Sequence, residues 1–458
     1  MILKQYYLGC LSQASYLIGD EESGEAIVVD PRRDIDEYLA DAEARRLKIR
    51  SVILTHVHAD FVAGHLELRA RTGAEILLGS RARVNYPFRP VRDGETLSLG
   101  SVKVAFLETP GHTLESICVV VFERGRCHAV LTGDTLFVGD VGRPDLAASG
   151  GTPAEELAGL LYDSIHGRLL TLPDETLVYP GHGAGSACGK NLGTETVTTI
   201  GAQRKSNDAL KFGAREEFVR SVTAGQPEAP RYFESDVLLN QRERPILEET
   251  LRDALHPLPI LEVLDRRRTG SVVLDVREPT AYAARHLRGS INVPLGGKFA
   301  FHSGTVVGVG TPIVLIADPG REREAALRLG RIGWDSVSGY LKGGSGAVPE
   351  ELTLRTECLG PEDAARRLEQ KPAPVLLDVR SEAEVREKRI PGSLNIPLQH
   401  LQARLKDIPR ERQKIVYCHS GQRSSIAASL LEREDMVNVA TLAGGLDAWE
   451  AVGGSIER

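Results

Sequence analysis

The chain has 458 residues, 41% of them hydrophobic and 26% charged, with a net charge of −7. That length exceeds one ordinary core and, at roughly 100–200 residues per domain, implies about three domains of a soluble globular protein. The modest negative charge, with no long Lys/Arg run, excludes nucleic acid and anionic membrane as partners, and no apolar run approaches the ~20 residues that span a bilayer.

The N-terminus, MILKQYYLGCLSQASYLIGD, lacks the basic start, long apolar stretch and small-residue cleavage site of a signal peptide, and reads as strand, turn, strand. Six cysteines (10, 118, 127, 188, 358 and 418) are scattered without a framework spacing, which suggests reduced thiols in a cytoplasm. Cys118 and Cys127 read as ordinary buried strand residues, and Cys10 and Cys358 carry no local signature.

Residues 1–245 carry apolar runs into loops rich in His, Asp and Gly: SVILTHVHAD, VKVAFLETPGHT, CHAVLTGDTLFVGD and ETLVYPGHGAG. His56, His58 and Asp60 follow the first run and precede a helical pattern, FVAGHLELRARTG. His112, Asp134 and His182 close the other three loops. A single His beside a Gly is most simply a turn residue. Four such loops at successive strand ends point instead to a metal site built from imidazole and carboxylate.

Residues 201–256 are charged and helical in pattern, and HPLPI (256–260) is a Pro-punctuated boundary. Beyond it the chain repeats itself. VVLDVREPTAYAARHLRGSINVPL (272–295) returns as VLLDVRSEAEVREKRIPGSLNIPL (375–398), and PIVLIADPGRERE corresponds to KIVYCHSGQRSS. Strand runs alternating with helical runs predict two small parallel-sheet α/β modules, joined near 346–356. In the second copy, Cys418 ends a buried strand and enters a tight loop before a helical run. Backbone N–H groups there favour an anion and a low thiol pKa, and Arg423 adds a fixed positive charge.

The four metal-loop motifs resemble the metallo-β-lactamase fold superfamily, as in glyoxalase II and persulfide dioxygenases. Its signature THxHxDH stands here as THVHADF, with Phe61 at the final His. In binuclear members the Asp–His pair and the last His bind a second metal, so Phe61 removes a ligand of that site. The resemblance then implies one mononuclear Fe(II) held by His56, His112 and Asp134, an arrangement suited to dioxygen chemistry. His58, Asp60 and His182 become outer partners that orient ligands or substrate. The block GHGAGSACGKN (181–191) is similar to that of persulfide dioxygenases fused to rhodaneses; there Cys188 is a candidate contact for sulfane sulfur, against a plain buried thiol, and Lys190 for an anionic carrier. Arg143 and Asp145 are expected to pair and brace the metal loop.

The repeat resembles rhodaneses, sulfurtransferases whose Cys carries a persulfide. Cys-dependent phosphatases use Cys-x5-Arg, whereas this loop is Cys-x4-Arg, so sulfur transfer fits better. Asp378 and Arg380 are expected to be structural. The first copy has no cysteine, with Asp318 near the matching position. The implied fold class is α/β multidomain: a metallo-β-lactamase αββα sandwich (1–245), a rhodanese-like domain lacking the catalytic Cys (256–346) and a catalytic rhodanese domain (352–458). The implied activity oxidises a low-molecular-weight thiol persulfide, glutathione persulfide or similar, with O2 to sulfite and thiol. Cys418 then forms or consumes thiosulfate, and the resemblance implies a homo-oligomer. The alternative is a glyoxalase-II-like zinc thioester hydrolase fused to a rhodanese. A non-enzymatic sulfur carrier or persulfide sensor is disfavoured by the intact ligand positions and Cys418 loop.

Overall fold

The structure is a computed structural model that describes residues 1–146, 151–226, 228–436 and 438–458. It divides into two compact units, Met1–Leu247 with Gly330–Gly333, and Glu248–Leu329 with Trp334–Arg458.

In the first unit, six strands form one sheet in the order β1 (Ile2–Leu8), β2 (Gln13–Asp20), β3 (Glu25–Val29), β4 (Lys48–Ile53), β5 (Glu75–Gly79) and β6 (Arg89–Val91). A second sheet runs β12-β11-β10-β9-β8-β7, from β7 (Thr96–Leu99), β8 (Val102–Glu108), β9 (Ile117–Glu123), β10 (Arg126–Gly133), β11 (Leu177–Pro180) and β12 (Thr198–Thr199). Period-two patterning decides what each face buries. In β8, Val102, Val104 and Phe106 turn inward while Lys103 is exposed. These side chains join Ile27, Val29, Ile53 and Leu77 of the first sheet in one core between the sheets.

The outer faces are apolar too, because helices cover them. β9 is buried on both sides: Val119 and Val121 enter the inter-sheet core, and Cys118 and Val120 pack under the helix Ala154–Gly167. Val28, Val52 and Ile76 face Tyr38 and Leu66 from helices on the other side. This is the αββα sandwich. Cys127, by contrast, lies on its strand only half-buried.

The helix that follows the first metal-loop motif, His65–Thr72, is anchored by Glu67. Its buried carboxylate receives Arg33 Nε at 2.9 Å, Arg244 Nη1 at 2.6 Å and the Leu247 N–H at 3.2 Å. Burial alone pushes this carboxyl up, but Arg244 and Arg33 overcome it and hold it at about 2, from an ordinary 4.5. A depressed folded-state value gives stability that is present above the unfolded value and lost as pH falls through the folded one. We therefore expect unfolding free energy to fall by on the order of 3 kcal/mol between about pH 5 and 2 from this group. Glu67→Gln should flatten that window and cost about 3–5 kcal/mol at neutral pH, because two buried guanidinium groups lose their counter-charge. Denaturant titrations of both proteins across this range check it.

The second unit holds two parallel sheets of the same plan. The first has the order β13-β18-β17-β14-β16, from β13 (Pro257–Leu258), β14 (Val272–Asp275), β16 (Ile291–Asn292), β17 (Ile313–Ile316) and β18 (Val337–Leu341). A short antiparallel pair joins β15 (His286–Leu287) to β19 (Thr353–Leu354). The second has the order β20-β24-β23-β21-β22, from β20 (Glu357–Leu359), β21 (Val375–Asp378), β22 (Leu394–Asn395), β23 (Lys414–Tyr417) and β24 (Val439–Leu442). The two DVR motifs close their first central strands identically. Arg277 grips Asp275 at 2.6 Å and the Arg285 carbonyl at 2.9 Å; Arg380 grips Asp378 at 2.6 Å and the Lys388 carbonyl at 2.8 Å. These are buried braces, away from any reacting group.

Candidate metal centre and sulfur-carrying loop

The metal-loop residues gather at the ends of β4, β8, β10 and β11. His56, His112 and Asp134 are buried and offer one ligand atom each within 4.8 Å of one another. Each ring is set by its other nitrogen. His112 Nδ1 donates to the Arg143 carbonyl at 2.8 Å, and His56 Nδ1 lies 3.0 Å from Thr55 Oγ1. Both arrangements leave Nε2 for a ligand, with His112 Nε2 3.6 Å from Asp134 Oδ2. Burial pushes the His56 pKa well down, which keeps its imidazole in the neutral form that metals bind.

His56 Nε2, His182 Nε2, both Asp134 oxygens and Asp60 Oδ1 are buried without hydrogen-bond partners. A buried polar atom left unpaired costs about 1–3 kcal/mol, so five together fit a cation and not a packed core. Glycines make room for the carboxylate. A Cβ on Gly142 would stand 1.8 Å from the Asp134 carbonyl oxygen, and one on Gly181 2.5 Å from Asp134 Oδ1.

The other expected residues divide. His58 turns Nε2 to Asp30 Oδ1 at 3.0 Å, and Phe61 packs against its ring at 4.4 Å between centroids. His182 Nδ1 donates to the Ser12 carbonyl at 3.1 Å, while Nε2 faces Asp60 Oδ2 at 3.4 Å and Asp134 Oδ1 at 3.6 Å. Cys188 is buried beside them, and burial together with the Asp60 and Asp134 charges pushes its thiol well up. Arg143 does pair with Asp145, at 2.6 and 2.8 Å, and also binds the Ala187 carbonyl at 3.1 Å. Lys190 takes a different role from the one expected. Its ammonium donates to the Ser221 carbonyl at 3.1 Å and to that of Ala224, capping the helix Arg215–Thr223.

Two contributors were not anticipated from sequence. Asp30, at the end of β3, holds His58 and also accepts the Thr55 N–H and Oγ1, both at 2.8 Å. Asn240 donates to the carbonyls of His58 (2.9 Å) and Phe61 (2.8 Å) and accepts from the Ala63 N–H at 2.8 Å. An Asp after AIVV was a visible signal of a strand-end loop; Asn240, in a distant helix, gave none.

In the second unit, Cys418 follows β23 and is buried. Its Sγ receives the Gly421 N–H at 3.2 Å and lies 3.7 Å from Ser424 Oγ. Gly421 has φ +106°, a conformation open to glycine, and it turns the loop into the helix Gln422–Arg433. Arg423 is held bidentate by Glu384, at 2.7 Å for each bond, so its fixed charge is partly matched. Strand register fixes the equivalent place in the first copy. Asp275 pairs with Ile316 as Asp378 pairs with Tyr417, so the residue after the strand, Ala317, stands where Cys418 does. Asp318 is one place further on.

Residues 8–182 match the metallo-beta-lactamase superfamily, and residues 260–348 and 360–452 each match the rhodanese-like domain. A solved metallo-beta-lactamase from Staphylococcus aureus subsp. aureus COL is 32% identical; the alignment covers 74% of this chain and 98% of that one, with a TM-score of 0.66. The chain belongs to the metallo-beta-lactamase superfamily. It joins a domain of that superfamily, with persulfide dioxygenase relatives, to two rhodanese-like domains. Human mitochondrial persulfide dioxygenase ETHE1 is 27% identical over 250 residues, 53% of this chain and 88% of that protein. A hydroxyacylglutathione hydrolase from Polaromonas sp. is 35% identical over 190 residues, 40% of this chain and 66% of the hydrolase's own length. Among the described residues, no helix is long and apolar enough to cross a membrane.

Proposed function

We propose that the chain is a non-haem iron persulfide dioxygenase coupled to a thiosulfate-forming sulfurtransferase, organised as domains over 1–245, 256–346 and 352–458. The carrying observation is the convergence of two imidazoles and one carboxylate, His56, His112 and Asp134, while a phenylalanine takes the place of the next histidine. Two His and one carboxylate with open positions are the set that suits ferrous oxygenases. Ferrous iron held there supplies the electron chemistry by which O2 reacts with a sulfur. The balanced reaction is RSSH + O2 + H2O giving RSH, sulfite and two protons, with the terminal sulfur oxidised and O2 reduced.

The chain's own part is positioning. Arg143 and Thr55 set the His112 and His56 rings so that each Nε2 faces inward, and Phe61 and Asp30 keep His58 turned to its own partner. Burial of these groups excludes bulk water from the reacting sulfur. In the catalytic rhodanese domain, the Gly421 N–H and the N-terminus of the helix Gln422–Arg433 stabilise negative sulfur on Cys418. Sulfite attacks the outer sulfur of a Cys418 persulfide; the new S–S bond makes thiosulfate, and Cys418 leaves as thiolate. The reverse draws sulfane sulfur from thiosulfate. The substrate side is a small thiol persulfide such as glutathione persulfide, and the compartment is the cytoplasm.

A second reading, a zinc thioester hydrolase, draws support from the Asp60, His182 and Cys188 cluster and from the hydrolase relative. Supplying iron-loaded and zinc-loaded protein with a glutathione thioester and with glutathione persulfide separates the two. Our reading expects persulfide turnover with iron alone; thioester hydrolysis by the zinc form, with persulfide untouched, supports the hydrolase.

A further inference from the structure

We propose that Asp60, His182 and Cys188 form a second cation site beside His56, His112 and Asp134, one that takes a thiophilic divalent ion such as Zn2+ or Co2+ and shares Asp134 as a bridge. The inference goes beyond the proposed dioxygenase and stands whichever metal the first site prefers.

Three buried side chains present one donor each, all within 4.8 Å of one another: a carboxylate oxygen, an imidazole nitrogen and a sulfur. The spacing is that of co-ligands. Two donors bound tetrahedrally at about 2.0–2.2 Å stand about 3.4 Å apart, and His182 Nε2 lies 3.4 Å from Asp60 Oδ2 and 3.6 Å from Asp134 Oδ1. The imidazole is already turned toward a ligand, with Nδ1 committed to the Ser12 carbonyl and Nε2, buried, lacking a hydrogen-bond partner. Asp134 divides its oxygens, Oδ2 toward His112 and Oδ1 toward His182, and neither has a hydrogen-bond partner.

The position of Cys188 is built into the fold. The Arg143 N–H donates to the Cys188 carbonyl at 3.1 Å, and the Cys188 N–H donates to Ser186 Oγ at 3.1 Å. Arg143 also presents its carbonyl to His112 and its guanidinium to Ala187, so one residue ties the cysteine loop to a ligand of the first site. A sulfur from a distant loop thus supplies the third donor where Phe61 cannot. Exchange of nitrogen for thiolate shifts the preference from ferrous iron toward zinc and other soft-accepting ions.

The test is a cobalt titration of the full chain stripped of metal, read by metal analysis and by the near-ultraviolet thiolate-to-cobalt charge-transfer band. Two equivalents should bind, the band accompanying one of them. Cys188→Ser should bind one equivalent and lose the band; His56→Ala should lose the other equivalent and keep the band. X-ray absorption of the zinc-loaded native chain, which needs no variant, should show a sulfur neighbour at about 2.3 Å. A single equivalent in the native chain, a band that survives Cys188→Ser, or a zinc shell without sulfur overturns the proposal. None of these readouts involves oxygen uptake, so failure here and failure of the dioxygenase reading are distinguishable.

Discussion

Replacing His112 by Ala is expected to strip the first site of its metal and abolish oxygen-dependent turnover. The site offers three protein donors, and this substitution removes one whose geometry is fixed by the 2.8 Å bond to the Arg143 carbonyl. Loss of an outer hydrogen-bond partner already costs about 10–100-fold in metal affinity. Loss of a ligand should exceed that, so we expect iron retention after gel filtration to fall by at least about 100-fold. Sulfur transfer by Cys418 should survive, because none of its groups is touched. Retention of iron and of oxygen uptake in this variant contradicts the ligand assignment.

Cys418→Ser is the complementary experiment, expected to leave oxygen uptake intact while thiosulfate formation falls to background and sulfite accumulates. A hydroxyl cannot carry sulfane sulfur, and the Gly421 N–H that faces Sγ at 3.2 Å has then no thiolate to stabilise. No second cysteine can substitute within the repeat, since strand register puts Ala317 at the equivalent place. Quantifying sulfite and thiosulfate after complete consumption of persulfide checks this. Undiminished thiosulfate in the variant moves the sulfur-carrying role away from Cys418.

What was legible in the sequence followed local rules. Apolar runs entering His/Asp/Gly loops mark strand ends, so His56, His112 and Asp134 could be grouped before their geometry was known. The repeat, the Cys418 loop and the DVR braces were legible for the same reason: short segments whose neighbours in space are neighbours in the chain. Long-range contacts were not. Asp30 reaches His58 from β3, and Asn240 reaches the same loop from a helix about as far along the chain as the unit extends. Lys190 has the composition of an anion-binding residue, yet its ammonium is drawn to the carbonyls that end a nearby helix. Cys188 could be marked as a thiol near the metal motifs, but its convergence with Asp60 and His182 depends on the bond from Arg143 that folds the loop back. The two-residue strands β13, β15, β16, β19 and β22 are too short to carry any periodicity.

The most direct measurement of the central claim is oxygen consumption by the iron-loaded Cys418→Ser protein on addition of glutathione persulfide, with sulfite counted against oxygen. The account predicts rapid uptake with one sulfite formed per O2 consumed. No uptake, with hydrolysis of a glutathione thioester by the same preparation, would contradict it and assign the first domain to hydrolysis.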